Sequence, residues 1–273
     1  MAVIETVYVP GNPRLAVDHG GEGPLVVFMH GIGGNRTNWR DQLPYFAERY
    51  HAVAWDARGY GLSDDYDGPL DFADFSADLL RVLDHFRAER AFLVGLSMGG
   101  RIAQDFYPRH GDRVAAMVLC DTFPGFDASF TPEQRAEFVR LRKEPLVNGK
   151  EPKDIAPIVA TTLVSSNAPD WVFQRLVESM SMLHKESYIK TVEATTHYNR
   201  VADLPNIKVP VLLVYGEEDR LTPPDIGRRM AAAIPNAELH IIPGAGHLPN
   251  IEKPREFNEK VRAFLDAHRD LAA

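Results

Sequence analysis

Six short runs of mostly apolar residues recur along the chain, and glycine, proline or polar residues separate them. The runs cover residues 25–29, 51–55, 91–94, 114–119, 211–215 and 239–242. Continuous rather than alternating apolarity is typical of strands that are buried on both faces of a parallel sheet. Residues 3–9 and 14–18 flank a turn at residues 11–13 and predict a short hairpin before this sheet.

Helical periodicity fills much of the chain between these runs. In residues 72–87, the apolar side chains at positions 75, 79, 82, 83 and 86 share one helical face. Residues 99–109, 225–234 and 254–268 are predicted helices as well, the last of them with a proline in its first turn. Because strands alternate with helices, the predicted fold class is α/β, with a mostly parallel sheet and helices on both faces.

Residues 122–200 depart from this alternation. They contain several helical stretches, including one that starts near Thr131 and an amphipathic one over residues 170–183, but no buried strand run. We therefore predict that residues 122–200 form a helical cap, or lid, inserted between two strands. The predicted α/β core then consists of residues 1–121 and 201–273.

The chain has 273 residues, and its 38 acidic against 30 basic side chains give a formal net charge of −8. Such a chain lacks the broad positive field that non-specific nucleic-acid binding needs. Its single cysteine, Cys120, rules out an internal disulfide. No apolar run approaches the ~20 residues of a membrane helix, and the amino terminus lacks the features of a signal peptide. We therefore expect a cytoplasmic protein with no nucleic-acid or membrane partner, and a homodimer is left open.

The strongest chemical signal lies at residues 95–100, which read Gly-Leu-Ser-Met-Gly-Gly. The pattern G-x-S-x-G between a strand and a helix is typical of a nucleophile elbow, a tight turn that lifts the serine oxygen above the sheet. Glycines are needed there because side chains on the neighbours of the serine would clash. Ser97 is therefore the predicted nucleophile. The backbone N–H of Met98 and the start of the helix favour negative charge beside it.

A serine nucleophile needs a base, and the base needs an acid that orients it. His247 lies in a loop after the last apolar run, where active-site groups of parallel sheets gather, and it is the predicted base. Asp219 follows the fifth run and is the predicted acid, while Asp121, directly after the fourth run, competes for this role. The chain order Ser97, Asp219, His247 matches the order nucleophile, acid, base that such sheets carry.

A glycine-rich turn at residues 30–34 follows the first apolar run. It can offer backbone N–H groups to an oxyanion beside the nucleophile, and the N–H groups of Ile32 and Met98 form the predicted oxyanion hole. A phosphate-binding loop is the alternative, but neither Gly-Lys-Ser/Thr nor a complete G-x-G-x-x-G is present. No cysteine and histidine cluster has metal-ligand spacing, so no metal is predicted. Asp56 and Arg58, at another strand end, are predicted to have a structural ion-pair role.

Together these motifs resemble the α/β-hydrolase superfamily over nearly the whole chain outside residues 122–200. The matching motifs are His30-Gly31, Asp56-x-Arg58-Gly-x-Gly-x-Ser63, Gly95-x-Ser97-x-Gly99-Gly100, Gly216-x-x-Asp219 and Gly246-His247. The resemblance implies an eight-stranded, mostly parallel sheet with a helical cap. It also implies a serine mechanism without a cofactor.

Residues 94–100, 119–122 and 247–254 look like those of 3-oxoadipate enol-lactonases and related carboxylesterases. This resemblance implies that the substrate is a small-molecule carboxylic ester or lactone. Carbon–carbon bond hydrolases of aromatic ring-cleavage pathways and serine perhydrolases (haloperoxidases) are similar and stay as alternatives, as does a ligand receptor on a hydrolase fold. Haloalkane dehalogenases and epoxide hydrolases are also similar, but they need aspartate where this chain has Ser97.

The cap is expected to shape the substrate pocket. Aromatic, methionine and histidine side chains of the cap, with one tryptophan of the core, are the predicted substrate-binding residues: Trp39, Phe123, Phe126, Trp171, Met180 and His184. These residue types suit an apolar pocket with a few polar groups. They do not define the acyl or the alcohol group of the substrate.

Overall fold

The computed structural model of the chain describes residues 2–125 and 131–272, and its centre is an eight-stranded sheet. The strands are β1 (Glu5–Val9), β2 (Leu15–Gly20), β3 (Leu25–Met29), β4 (His51–Trp55), β5 (Ala91–Leu96), β6 (Val114–Cys120), β7 (Val211–Gly216) and β8 (Ala237–Ile242). They lie in the order β1-β2-β4-β3-β5-β6-β7-β8. β2 pairs antiparallel with β1 and with β4, and the other neighbours are parallel. The predicted α/β fold class is therefore confirmed.

The central strands carry the core of the molecule. β3, β5, β6 and β7 are buried at every position, because helices cover both faces of the sheet. The strands at the two edges, β1 and β8, are only partly buried. This difference explains why the apolar pattern locates the central strands closely but misses the first two residues of β8, which lie at positions 237 and 238 and are not fully covered.

Ten α-helices lie in the part of the chain that the structure describes. They are α1 (Leu43–Phe46), α2 (Phe72–His85), α3 (Met98–His110), α4 (Pro132–Val147), α5 (Pro152–Leu163), α6 (Asp170–Ser181), α7 (Lys185–Thr195), α8 (Pro224–Ala233), α9 (Pro249–Glu252) and α10 (Pro254–Ala267). The four helices predicted outside residues 122–200 are all present, with ends within two residues of the prediction. None of the helices in the described residues combines the length and the apolar character needed to cross a membrane.

Short helices are what the periodicity could not predict. The 3₁₀ helix Arg36–Trp39 and the helices α1 and α9 have four residues each, too few for an apolar period to appear. The 3₁₀ helix is held by Asn35, whose side chain accepts a hydrogen bond from the Thr37 N–H at 2.9 Å. This local capping fixes the direction in which the turn after β3 continues.

Helices α4 to α7 lie between β6 and β7 in the chain, with α5 packed against α6 and α4 against α7. The two ends of this segment meet. Gly125 and Asn199 form an isolated β-bridge, and the backbone N–H of Arg200 donates to the carbonyl of Pro124 at 2.6 Å. The separation of the chain into a core and a cap of residues 122–200 stays a prediction.

The turn after β4 is held by two ion pairs. Asp56 bonds to the Arg36 guanidinium, with 2.7 Å between Oδ2 and Nη1. Arg58 bonds to the buried Asp78, with 2.7 Å between Nε and Oδ2. Asp56 and Arg58 thus both take part in ion pairs, but each with a partner on another element.

Candidate active site

Ser97 lies in the sharp turn between β5 and α3. Its backbone has φ 51° and ψ −108°, a conformation that costs a non-glycine residue about 1–3 kcal/mol. A Cβ on Gly95 would come within 2.3 Å of the Gly99 backbone, and a Cβ on Gly99 within 2.2 Å of the Met29 carbonyl oxygen. The turn therefore requires glycine at both positions, which is the steric reason for the G-x-S-x-G pattern.

The backbone N–H groups of Ile32 and Met98 have no hydrogen-bond acceptor among the described residues, and both residues lie close to Ser97 in the chain or at its cavity. Met98 is the first residue of α3, so its N–H lacks the carbonyl partner that later helical residues have. Ile32 lies in the turn after β3 and follows Gly31. A Cβ added to Gly31 would be 3.9 Å from Ser97 Oγ, so this turn lies close to the nucleophile. The assignment of these two N–H groups to an oxyanion hole stays a prediction.

His247 lies in the loop after β8 and is 5% exposed. Its backbone N–H donates to the carbonyl of Leu163, the last residue of α5, at 2.8 Å. Its Nδ1 lies 2.8 Å from Oδ2 of Asp219. An ionised carboxylate only accepts hydrogen bonds, so Nδ1 carries the proton of this bond, which makes Nε2 the acceptor nitrogen whenever the ring is neutral.

Asp219 is surrounded by donors. Its Oδ1 accepts the N–H groups of Leu221 and Thr222 at 2.8 and 3.1 Å, and its Oδ2 accepts the Thr222 hydroxyl at 2.6 Å besides His247. Burial alone would raise the pKa of Asp219, but the charge of His247 and the bonds from His247 and Thr222 hold it well below its ordinary value. The shifted pKa of Asp219 and the donors around it therefore both favour its ionised form.

The competing carboxyl group, Asp121, lies beside this pair but in a different environment. It is fully buried after β6, at φ 40°. Its Oδ1 accepts the N–H of Gly216 at 2.9 Å, and its Oδ2 has no hydrogen-bond partner among the described residues. Burial, followed by the charge of Asp219, raises the pKa of Asp121 well above its ordinary value. Two neighbouring carboxyl groups thus have pKa values shifted in opposite directions: Asp219, with the lowered pKa, contacts His247, and Asp121, with the raised pKa, lies behind it.

Asp121, Asp219 and His247 together place three potential ligand atoms within 4.8 Å of one another. A cation could use the ring nitrogen of His247 only if Nδ1 gave up its proton and its bond to Asp219. Both oxygens of Asp219 already accept hydrogen bonds from the chain. The donor set therefore fits a hydrogen-bonded acid and base better than a metal site.

A cavity lies against Ser97 and His247. Its lining comes from residues 31–34 of the turn after β3, from α5 and α6 (Val159, Thr162, Leu163, Leu176 and Met180), and from Arg142 of α4 and Tyr188 of α7. A concave, mostly apolar space next to a few polar groups is the usual form of a small-molecule site. The helices between β6 and β7 thus supply much of its wall.

Of the predicted substrate-binding residues, the structure brings Met180 to this cavity, with its Cε 3.3 Å from where a Cβ on Gly33 would lie. Phe126 lies outside the described residues. Trp39 is fully buried in the core, where it packs against Phe28 with ring centres 5.1 Å apart. Trp39 therefore does not line the cavity.

Phe123, Trp171 and His184 also lie away from the described cavity wall. Phe123 stacks with the guanidinium of Arg101, 4.9 Å from its ring centre. Trp171 is 49% exposed on the outer face of α6. His184 lies before α7, with Nδ1 2.9 Å from a carboxylate oxygen of Asp65. Residue type alone could not separate the inner from the outer face of these helices.

The sequence analysis missed most of the cavity wall: the apolar residues of α5 and α6 other than Met180, and polar residues such as Asn38, Arg142 and Tyr188. Asn38 belongs to the short 3₁₀ helix, which has too few residues for an apolar period to predict it. Arg142 lies on α4, among other charged residues, and resembles a solvated surface arginine in sequence. A search for basic residues on the helices between β6 and β7 would have included Arg142, but only the fold shows that it lines the same cavity as Ser97.

The chain matches the family model of the alpha/beta hydrolase fold over residues 24–254. This match covers most of the chain, so the protein belongs to the α/β-hydrolase family. The resemblance drawn from its motifs is therefore confirmed, and the observed eight-stranded sheet is the one that this resemblance implied.

Three relatives illustrate the range of the family. The chain is 25% identical to 3-oxoadipate enol-lactonase 2 of Acinetobacter baylyi over 89% of this chain and 88% of that protein. It is 31% identical to the 2-hydroxy-6-oxononadienedioate/2-hydroxy-6-oxononatrienedioate hydrolase of Burkholderia vietnamiensis over 91% of this chain and 89% of that protein. The structure of a thermophilic esterase from Thermogutta terrifontis, malate bound, matches with a TM-score of 0.87 and 28% identity over 100% of both chains. These relatives support an enzyme with hydrolase activity.

Proposed function

We propose that the protein is a serine hydrolase that cleaves a small-molecule carboxylic ester or lactone through an acyl-serine intermediate. The observation that carries this proposal is the shared cavity of Ser97 and His247, with Nδ1 of His247 bonded to Asp219 at 2.8 Å. A nucleophile in a strained turn, a base with a free Nε2 and an ionised acid are the parts that acyl transfer needs.

In the first half of the reaction, Ser97 Oγ attacks the carbonyl carbon of the substrate while His247 Nε2 takes the serine proton. The negative charge that develops on the carbonyl oxygen is stabilised by the N–H groups of Ile32 and Met98. Asp219 stabilises the charged ring of His247. His247 then gives its proton to the alkoxide oxygen as the carbon–oxygen bond breaks, which releases the alcohol or opens the lactone ring.

In the second half, water attacks the acyl-serine and His247 accepts a proton from it. The same two N–H groups stabilise the second tetrahedral intermediate, and the proton then returns to Ser97 Oγ as the acid product leaves. The overall reaction consumes one water and requires no further reactant. No residue of this scheme has to hold a metal or an organic cofactor.

A carbon–carbon bond hydrolase is the second candidate, because the relative from Burkholderia vietnamiensis, whose name denotes such a substrate, is 31% identical to this chain. The enol-lactonase and the esterase are 25% and 28% identical. The two activities are separated by a substrate panel of alkyl esters, enol-lactones and vinylogous diketones, assayed with equal enzyme. Turnover of the diketones with no turnover of esters or lactones would replace our assignment with the second candidate.

The covalent step has its own test. A phosphonofluoridate should label Ser97 alone, and mass spectrometry of the digested protein should locate the adduct. The exposed Ser181 of α6 provides the control, since Ser181→Ala should be labelled and active like wild type. Loss of labelling in Ser97→Ala together with a burst of p-nitrophenol from wild type supports an acyl-serine. Labelling that persists in Ser97→Ala would contradict it.

Residues 122–200 are proposed to act as the cap that closes this site, with α5 and α6 as its cavity wall. The cytoplasmic location expected from the sequence stays a prediction, and so does the homodimer that it leaves open. Fractionation and sedimentation of the purified chain would test them.

A further inference from the structure

Arg142 of α4, a cationic residue, is part of the wall of the cavity that contains Ser97. The rest of the described lining is apolar or neutral, apart from the titratable ring of His247. A positive charge in such a wall is unusual because burying a charge is costly unless an opposite charge compensates it. Whether a group of the chain or a bound molecule compensates the charge of Arg142 therefore bears on what the cavity binds.

Within the described residues, no carboxylate pairs with Arg142. Its Nη1 donates to the carbonyl of Phe138, one turn earlier on α4, at 3.2 Å. Its guanidinium carbon lies 3.7 Å from the centre of the Phe138 ring. Guanidinium has five N–H donors, so most of them remain available. Burial lowers the pKa of Arg142, but an arginine side chain remains a cation in proteins.

Two other arginines of the same helices, Arg140 and Arg175, have carboxylate partners. Arg140, two residues away, has ion pairs with Glu137 and Glu144 on the exposed side of α4. Arg175 of α6 has an ion pair with Asp41. The contrast shows that acidic partners are common on these helices and that Arg142 differs from its neighbours in facing the cavity without one.

We propose that the substrate carries a carboxylate, separate from the bond that is cleaved, and that this carboxylate binds to the guanidinium of Arg142. The proposal rests on the hydrolase function proposed above. The planar fork of guanidinium matches the two oxygens of a carboxylate. Tyr188 lines the same cavity next to Arg142 and would lie beside the bound group.

The net charge of the chain does not favour an anionic substrate. A net charge of −8 repels anions, so a preference for a carboxylate cannot come from the general field of the protein. The apolar wall formed by Val159, Leu176 and Met180 suits a hydrocarbon segment between the carboxylate and the reacting carbonyl. The substrate class is therefore a half-ester, or a lactone with a carboxylate side chain.

The kinetic test compares pairs of substrates that differ only in this charge. Monoethyl adipate is paired with ethyl hexanoate for a carboxylate in the acyl group, and 4-acetoxybutanoate with butyl acetate for a carboxylate in the alcohol group. A pH-stat measures kcat/KM for each. Wild type should prefer the charged member of at least one pair. Arg142→Gln should lower kcat/KM for that member by about 10- to 100-fold, the effect of losing hydrogen bonds to a charged group, and change the neutral member little.

Two further variants separate charge from packing. Arg142→Lys keeps a cation but loses the planar fork, so it should fall between wild type and Arg142→Gln. Arg140→Gln removes an exposed arginine of the same helix and should behave as wild type with all four substrates. Circular dichroism and thermal unfolding of each variant verify the fold. An equal loss for charged and neutral substrates in folded Arg142→Gln would mean a structural role and would overturn the proposal.

A binding experiment tests the carboxylate site independently of catalysis. Ser97→Ala and the double variant Ser97→Ala/Arg142→Gln are titrated calorimetrically with adipic acid monoanilide and with hexananilide, which has no carboxylate. We expect Ser97→Ala to bind the monoanilide more tightly and the double variant to lose this preference. Equal binding of both anilides would refute the carboxylate site even if esters are hydrolysed. A preference that depends on Arg142, without ester or lactone hydrolysis by wild type, would instead refute the proposed reaction.

Discussion

The two sides of the cavity differ in how their polar groups are satisfied. On the sheet side, Asp219 accepts hydrogen bonds from Leu221, Thr222 and His247, all within the chain. On the helical side, Arg142 has one hydrogen bond to a carbonyl and no carboxylate partner among the described residues. The acid on the sheet side is thus satisfied within the chain, whereas Arg142 on the helical side has guanidinium donors with no carboxylate partner among the described residues.

The two sides are nevertheless connected through the loop that carries His247. The backbone N–H of His247 donates to the carbonyl of Leu163, which ends α5. The carboxylate of Glu252 accepts the N–H of Ser165 at 3.2 Å and that of Gly246 at 3.0 Å, and so joins the segment after α5 to the loop of His247. Changes in the helices can therefore alter the base as well as the pocket, and experiments have to separate the two effects.

The largest expected effect is that of Ser97→Ala on the sheet side. Removing the nucleophile of a cooperating triad should lower kcat by about 10⁶-fold for every ester or lactone tested. The fold should persist, because alanine is smaller and has no hydroxyl to satisfy. Steady-state assays and thermal unfolding measure the two properties, and retained esterase activity in clean Ser97→Ala protein would contradict the assignment of the nucleophile.

Asp219→Asn should lower kcat by roughly 10⁴-fold, by analogy with other serine triads. An amide can donate its N–H to Nδ1 of His247 and thereby hold the ring in the wrong tautomer. Thr222→Val is the matched control, since it removes a hydroxyl bonded to Asp219 but leaves the carboxylate in place. Its loss should be far smaller. If the two variants lose activity equally, the carboxylate of Asp219 has no special role.

The sheet side was predictable because its signals are local in sequence. The turn at Ser97 needs glycines at fixed positions, since a Cβ on Gly95 or Gly99 would overlap the backbone of another segment. The central strands are covered on both faces and therefore appear as continuous apolar runs. The edge strand β8 is only partly covered, and its beginning was missed for that reason.

The helical side was predictable only in outline. A set of helices between β6 and β7 was expected and is observed. Which residues face the cavity depends on how each of the helices α4 to α7 is oriented about its own axis, and long-range packing determines this orientation. Trp171 and Met180 lie on the same helix, yet Trp171 is 49% exposed while Met180 is 2% exposed and lines the cavity. Apolar character alone could not tell them apart.

Met180→Ala is expected to act on selectivity rather than on chemistry. The substitution enlarges the cavity next to Gly33, so longer acyl groups should gain relative to short ones. Discrimination of about tenfold per methylene-sized change is usual for apolar pockets, and we expect a change of this order in the ratio of kcat/KM for ethyl octanoate and ethyl butanoate. Met182→Ala, at a position that is 44% exposed, is the control. An unchanged ratio in Met180→Ala would mean that Met180 does not limit the pocket.

The smallest effect on turnover is expected for Asp121→Asn, which tests the carboxyl group behind Asp219. The amide oxygen can still accept the N–H of Gly216, and the amide group can face Asp219 without a charge. Turnover should therefore survive, in contrast to Asp219→Asn. Asp121→Ala would leave the Gly216 N–H without an acceptor and should cost about 1–3 kcal/mol in the free energy of unfolding.

The pH dependence of stability distinguishes the two carboxyl groups, because their pKa values are shifted in opposite directions. The lowered pKa of Asp219 stabilises the folded state above about pH 4, the ordinary range of aspartate, and this contribution is lost as the pH falls further. The raised pKa of Asp121 has the opposite effect on stability: above about pH 4 the unfolded chain releases a proton that the folded chain retains, so stability decreases as the pH rises.

Asp121→Asn removes this loss of stability at higher pH. Urea unfolding of both proteins should therefore show a difference that moves in favour of the variant between about pH 4 and pH 7. A difference independent of pH would mean that Asp121 is ionised in the folded protein, and its separation from Asp219 into a neutral and a charged acid would be wrong.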